Sequence, residues 1–250
     1  MSGRQQAPLG ATETLFHACA ALDHAAMAQA LESGADVHGV DGNDDHPLGA
    51  FIQAWQKSDL PPDPTPFVEL LSRHGADLSR PGTGEWAGHT IGRLLCIDRE
   101  AVLLDALIAE GMDWDDDIDD GELITRVVRN RAPNLLASLL QSPLDLDPDA
   151  TDEDNMTALH ALVDARRPDH ETPDDTMDAM MTVLVEVCAT GDVPDIYGQT
   201  AVELFQREAP ELFDAWQTLV QARHTRLDAF VLDAALPDAH DGSEKGIPRL

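Results

Sequence analysis

The sequence predicts an all-α solenoid of about six helix–turn–helix repeats with β-turn fingers between them. Three observations carry that expectation. Apolar residues recur at helical spacing in short blocks of about ten residues, each too small to bury its face alone. Glycines close three of these blocks at Gly34, Gly75 and Gly111, spaced 41 and 36 residues apart. A Thr-x-x-His block opens a helix at Thr14-Leu-Phe-His17 and again at Thr157-Ala-Leu-His160.

The first unit runs from about Thr12 to Val40. Thr14 is placed to cap a helix, because its hydroxyl can accept from a free N–H of the first turn. Leu15, Phe16 and Cys19 then form an apolar face, and Met27, Ala30 and Leu31 form that of a second helix. Gly34 follows, where a left-handed helix end favours a residue without Cβ. The unit closes with an extended polar segment bearing Asp36 and Asp41.

Leu70 to Asp77, Leu107 to Asp113, Thr157 to Leu162 and Thr200 to Leu204 repeat parts of this block. Together with Gly34-Ala-Asp36, Gly75-Ala-Asp77 and the Pro47 that opens a helix after His46, they resemble the ankyrin repeat across residues 12–222. The resemblance implies stacked helix pairs that bind other proteins through their fingers and the concave face of the first helices. It also implies a structural role for His17, whose ring would hydrogen-bond loop backbone.

In this frame repeat two spans about Asp41 to Ser79, with a first helix from His46 to Gln56. Lys57 to Pro66 holds four prolines and reads as an extended connection. Repeat three opens with a finger, Arg80 to Gly88, followed by helices near Thr90–Ile97 and Arg99–Glu110. Repeat four runs from Gly121 to about Leu146, with helices near Leu123–Arg129 and Asn134–Gln141. Its Arg126, Arg129 and Arg131 form a small basic cluster expected to pair with neighbouring acids. Repeat five opens at Asn155, carries a second long connection at Arg166–Asp175, and has a second helix from Met177 to Val187. Repeat six spans about Asp195 to Ala222. A last amphipathic segment, Thr225–Leu236, is expected to cap the stack as a helix, because an exposed solenoid end is apolar. The domain reading is therefore a loose lead-in over 1–11, one solenoid over 12–236, and a disordered tail over 237–250.

The formal charge is −31 at pH 7. A field of that sign repels phosphates, so neither free nucleic acid nor an anionic membrane is expected as partner, and a basic protein is favoured. Three cysteines, Cys19, Cys96 and Cys188, lie far apart on apolar runs, which argues against a disulfide framework and for a reducing compartment. The first ten residues lack the apolar core of a secretory signal, and no stretch approaches the ~20 apolar residues of a membrane helix. The expected location is the cytoplasm. With only Lys57 and Lys245 as lysines beside abundant Ala and Asp, the composition points to a bacterial gene of high GC content.

No signature of catalysis is present: no phosphate loop with its lysine, no His-Glu-x-x-His, no zinc-spaced Cys or His pair, no Gly-x-Ser-x-Gly turn. The run Asp115, Asp117, Asp119 begins like a calcium loop, but Asp120 stands where its glycine belongs and Arg126 where its bidentate glutamate belongs. No enzyme activity, cofactor or metal is expected.

Function is then read from the surface. The acids cluster where the resemblance places fingers. The expected contacts are Asp41, Asp44 and Asp45; Trp86; Asp113, Trp114, Asp115, Asp116, Asp117, Asp119 and Asp120; Asp147, Asp149, Asp152, Glu153 and Asp154; and Tyr197. Aromatic residues flanked by carboxylates suit a partner rich in Arg and Lys. The sequence thus predicts a protein-binding module, monomeric outside its complex, that captures a basic protein as an immunity protein or inhibitor of a toxin or nuclease. The alternatives are a scaffold with several partners, a DNA mimic whose carboxylates replace phosphates, and an enzyme with a site assembled across repeats. A general surface acidity suited to a salty cytoplasm would account for acids outside the fingers, such as Asp164 and Asp233.

Overall fold

The computed structural model describes residues 10–81, 94, 97–112, 119–165, 175–187 and 189–235. Eleven α-helices lie within them: α1 Ala11–Ala21, α2 His24–Glu32, α3 Pro47–Lys57, α4 Thr65–Arg73, α5 Ala101–Ala109, α6 Asp120–Arg129, α7 Pro133–Gln141, α8 Ala158–Ala165, α9 Asp175–Glu186, α10 Ala201–Glu208 and α11 Pro210–Ala235. A 3-10 turn, Asp98–Glu100, leads into α5.

The helices stack in two rows. First helices pack α1 on α3, α6 on α8 and α8 on α10. Second helices pack α2 on α4, α4 on α5, α5 on α7, α7 on α9 and α9 on α11. The core is the apolar seam between the rows, carrying Leu15, Met27, Phe51, Leu71, Leu104, Val127, Leu136, Leu159, Met181 and Phe205. The chain thus folds as an all-α solenoid of helix pairs. The expected first helix of repeat three falls largely outside the described residues.

The glycine stops work as the sequence implies. Gly34, Gly75 and Gly111 have φ of 85°, 84° and 88°. The residue after each sends its N–H back to a carbonyl of the last helical turn, as in Ala35 to Ala30 at 3.0 Å and Ala76 to Leu71 at 3.0 Å. Two first helices end the same way without glycine. Leu22 (φ 53°) and Arg131 (φ 58°) take the left-handed position, and Asp23 and Ala132 make the returning bonds.

Three expectations change. Helix α1 starts at Ala11, so Thr14 lies inside its first turn and its hydroxyl bonds the Gly10 carbonyl instead of capping. His17 is then exposed, and the role the resemblance gave it is filled by His160. The fully buried ring of His160 accepts the Thr157 N–H at Nδ1 (3.2 Å), with Nε2 3.0 Å from the Gln199 carbonyl of the next finger. Finally, the segment expected to cap the stack continues the helix that precedes it. From Pro210 to Ala235 the chain is one helix, because neither glycine nor proline interrupts residues 211–236.

Polar bonds tie neighbouring repeats together. Asp98 accepts the backbone N–H groups of Asn134 and Leu135 and the Asn134 amide, so it caps α7 from the preceding repeat. Glu100 is fully buried, and its carboxylate takes the Gln56 amide of α3 (2.6 Å) and the Ile97 N–H (3.1 Å). Arg126 pairs with Glu122, Arg129 with Asp152, and Arg131 donates to the Ala165 carbonyl. Two members of the basic cluster thus meet acids and the third bonds backbone.

Candidate protein-binding face

The fingers are built from one local device used three times. In Asp41–Asp45, Asp152–Met156 and Asp195–Gln199 the first residue bonds the fifth across a tight turn. Asp41 N–H reaches the Asp45 carbonyl at 3.0 Å, Asp152 that of Met156 at 3.0 Å, and Asp195 that of Gln199 at 2.9 Å. In each, Oδ1 of the leading aspartate accepts the N–H of the third and fifth residues, at 2.7–3.1 Å. The fourth residue turns left-handed: Asp44 (φ 61°), Asn155 (φ 52°) and Gly198 (φ 76°). Asp and Asn tolerate that conformation better than other side chains, and glycine best of all.

This geometry divides the expected contact residues. Asp41 is half-buried at the base of its turn, Asp45 is buried at 5% exposure, and Asp152 at 8%. The Asp152 carboxylate is consumed by the Asp154 and Met156 N–H groups and by Arg129 at 2.9 Å. Asp149 uses both oxygens on the Thr190 N–H (3.0 and 3.1 Å). Asp147 is exposed but accepts the Asp149 N–H. Asp119 caps α6 through the Glu122 N–H. Asp120 Oδ2 lies 3.4 Å from the Asp147 N–H. Burial holds the Asp120 carboxyl above the usual range; the nearby Asp119 and Asp147 charges push the same way, against the lowering by the Asp147 N–H. By contrast Asp44, Glu153 and Asp154 are exposed at turn tips, and Tyr197 is 78% exposed at the last one. Trp86, Asp113, Trp114, Asp115, Asp116 and Asp117 lie outside the described residues.

The structure sets the tips of the last two fingers side by side, with the Ile196 N–H 3.4 Å from the Asp154 carbonyl. It also exposes Ile196, at 51%, which the sequence reading passed over. The signal was available: Ile196 follows the leading aspartate of a repeated turn, where the side chain has no core to enter. A groove of about 570 Å³ runs between α1 and α3. It leads from Asp41 and Asp45 at one end of α3 to Lys57 at the other, over a floor that includes Phe16, Ala20 and Ala54. Among the described residues no three His, Cys, Asp or Glu side chains come together to hold a metal. Nor is any helix among them long and apolar enough to cross a membrane.

No protein-family model and no curated protein matches the chain. Solved structures do. The ankyrin repeat protein EF0377 is 16% identical and superposes with a TM-score of 0.63, covering 82% of this chain and 96% of its own. An ankyrin repeat domain from Acinetobacter baumannii is 13% identical, with a TM-score of 0.63 and coverage of 82% and 96%. A chain from the Bdellovibrio bacteriovorus complex of the predatory endopeptidase Bd0816 with immunity protein Bd3460 is 16% identical. It gives a TM-score of 0.57 and coverage of 82% and 97%. The chain therefore carries the ankyrin-repeat fold, as the Thr-x-x-His and Gly-Ala-Asp blocks imply.

Proposed function

We propose that this chain is a binding module that captures a basic protein through its finger tips and the face of its first helices, acting as an immunity-type inhibitor of a toxin or nuclease. The observation that carries the reading is the split among the acids. One set holds the turns rigid, and a second set is left exposed on those turns: Asp44 on the first, and Glu153 and Asp154 on the finger that adjoins the one bearing Tyr197. Rigid loops lose little entropy on binding, so exposed charge on them favours affinity as well as encounter rate. The net charge of −31 raises the association rate with any cationic surface. The resemblance in fold to a chain of the endopeptidase–immunity protein complex supports the inhibitor form of this reading.

A second reading, an adaptor for several partners, draws support from acids exposed away from the fingers, such as Asp105, Asp164 and Asp178. One experiment separates the two. Tagged protein and its Asp44→Asn/Glu153→Ser/Asp154→Ser variant are used as baits in lysate of the source organism at low and moderate salt. A single basic protein held by the wild type and lost from the variant is the expected result. Many weak partners, or the same set on both baits, would hand the lead to the adaptor. The run Asp113–Asp117 is proposed to contribute to capture by its charge, and Asp115, Asp116 and Asp117 changed together to Ser should weaken capture and flatten its salt dependence.

A further inference from the structure

The last finger ends in two adjacent apolar side chains that the fold leaves uncovered, Ile196 at 51% and Tyr197 at 78% exposure. Their turn is rigid. The Asp195 carboxylate holds the N–H groups of Tyr197 (2.8 Å) and Gln199 (2.9 Å), and His160 binds the Gln199 carbonyl from the core. The neighbouring finger, joined through the Ile196 N–H, brings Glu153 and Asp154 alongside. Neither of these side chains makes a hydrogen bond or ion pair among the described residues, whereas Asp152 beside them is committed to Arg129. Arg207, which bonds the Gln199 side chain at the base of the turn, is likewise engaged by Glu208.

Resting on the capture reading, we infer that this tip is the anchor and that its occupant is an arginine side chain on a loop of the basic partner. The flat guanidinium stacks on the Tyr197 ring, its N–H edge reaches the Glu153 and Asp154 carboxylates, and Ile196 covers its apolar stem. Arginine fits because its planar, weakly hydrated head both stacks and forks onto carboxylates, while a lysine ammonium stays strongly hydrated. Charge complementarity selects this occupant over a purely apolar one. Two carboxylates with no partner among the described residues stand on the finger bonded to Ile196, and bringing an aliphatic partner there would desolvate them without compensation.

The chain has one tyrosine, so ring-labelled tyrosine gives a single set of NMR signals that reports on this tip alone. The full chain is titrated with the peptide Gly-Arg-Gly-Arg-Gly-Arg and, separately, with its lysine counterpart of equal charge. The expected result is a saturable shift of the tyrosine ring signals at an apparent Kd at least threefold lower for the arginine peptide. The Glu153→Gln/Asp154→Asn variant should lose that preference at an unchanged melting temperature. Ring signals that stay in place, or that respond equally to both peptides, would overturn the inference. Unmoved ring signals with a basic protein still captured from lysate would remove the anchor and leave the capture reading standing. A titrating ring with no basic protein captured would do the reverse.

Discussion

Changing Asp152 to Ala separates structural acids from binding acids more sharply than any other single substitution. The carboxylate accepts two backbone N–H groups at 3.0 and 2.9 Å and the Arg129 guanidinium at 2.9 Å, at 8% exposure. A hydrogen bond to a charged acceptor is worth about 1.5 kcal/mol at the low end, so losing the two backbone bonds costs about 3 kcal/mol. The Arg129 side chain is 40% exposed and regains water, so the ion pair adds at most about 1 kcal/mol. The sum, about 3–4 kcal/mol, lowers the melting temperature by about 6–16 °C at about 2–4 °C per kcal/mol for a chain of this size. Asp154→Ser, two residues away with an exposed side chain, should stay within about 0.5 kcal/mol of wild type. Thermal melts followed by circular dichroism, with urea titrations beside them, measure both. An Asp152→Ala protein melting within about 2 °C of wild type would refute the claim that this carboxylate holds the finger together.

Other substitutions follow from the same geometry. A Cβ on Gly121 would sit 2.2 Å from the Thr151 carbonyl carbon and oxygen and 2.7 Å from its nitrogen. Gly121→Ala must therefore push the chain leading into the Asp152–Met156 finger off α6, and a loss of about 1–3 kcal/mol in urea unfolding is expected, as for overpacked cores. Burial pushes the Cys19 thiol up to about 12, so alkylation at pH 8 should be far slower in the native chain than in urea. Because the native thiol keeps its proton above the pH at which the unfolded one loses it, this residue makes stability fall as pH rises from about 9 to about 12, and Cys19→Ser should reduce that slope. Asp120 is raised chiefly by burial, so the folded state holds its proton at a pH where the unfolded chain has released it. Acidification through that window favours the fold, and Asp120→Asn should raise the melting temperature at pH 7 by more than at pH 4.

How far the sequence reached depended on how local each feature is. The glycine helix ends at 34, 75 and 111 were legible because a left-handed residue after an apolar block is a property of a few neighbouring residues. Leu22 and Arg131 adopt the same conformation without any such mark, held there by the packing of the next helix. The role of the finger aspartates was half legible. Asp152 and Asp195 each stand five residues before a threonine that opens a helix, and Asp41 stands five before His46, so the repeat itself shows that they belong to the turn. Read as members of acid-rich runs, Asp41 and Asp152 looked like exposed contact residues. The caps and braces that cross repeats were out of reach. Asp98 serves a helix 36 residues on, and Glu100 meets Gln56 44 residues back. Nothing local marks a buried glutamate.

The central claim is that exposed acids on rigid turns bind, while the acids beneath them only build. Once a partner has been captured, the direct test is isothermal titration of it against wild type and the Asp44→Asn/Glu153→Ser/Asp154→Ser variant across a range of salt concentrations. The account predicts affinity that falls steeply with salt for wild type, a weaker and flatter dependence for the variant, and identical melting temperatures for the two chains. Equal affinities with the same salt slope would contradict it.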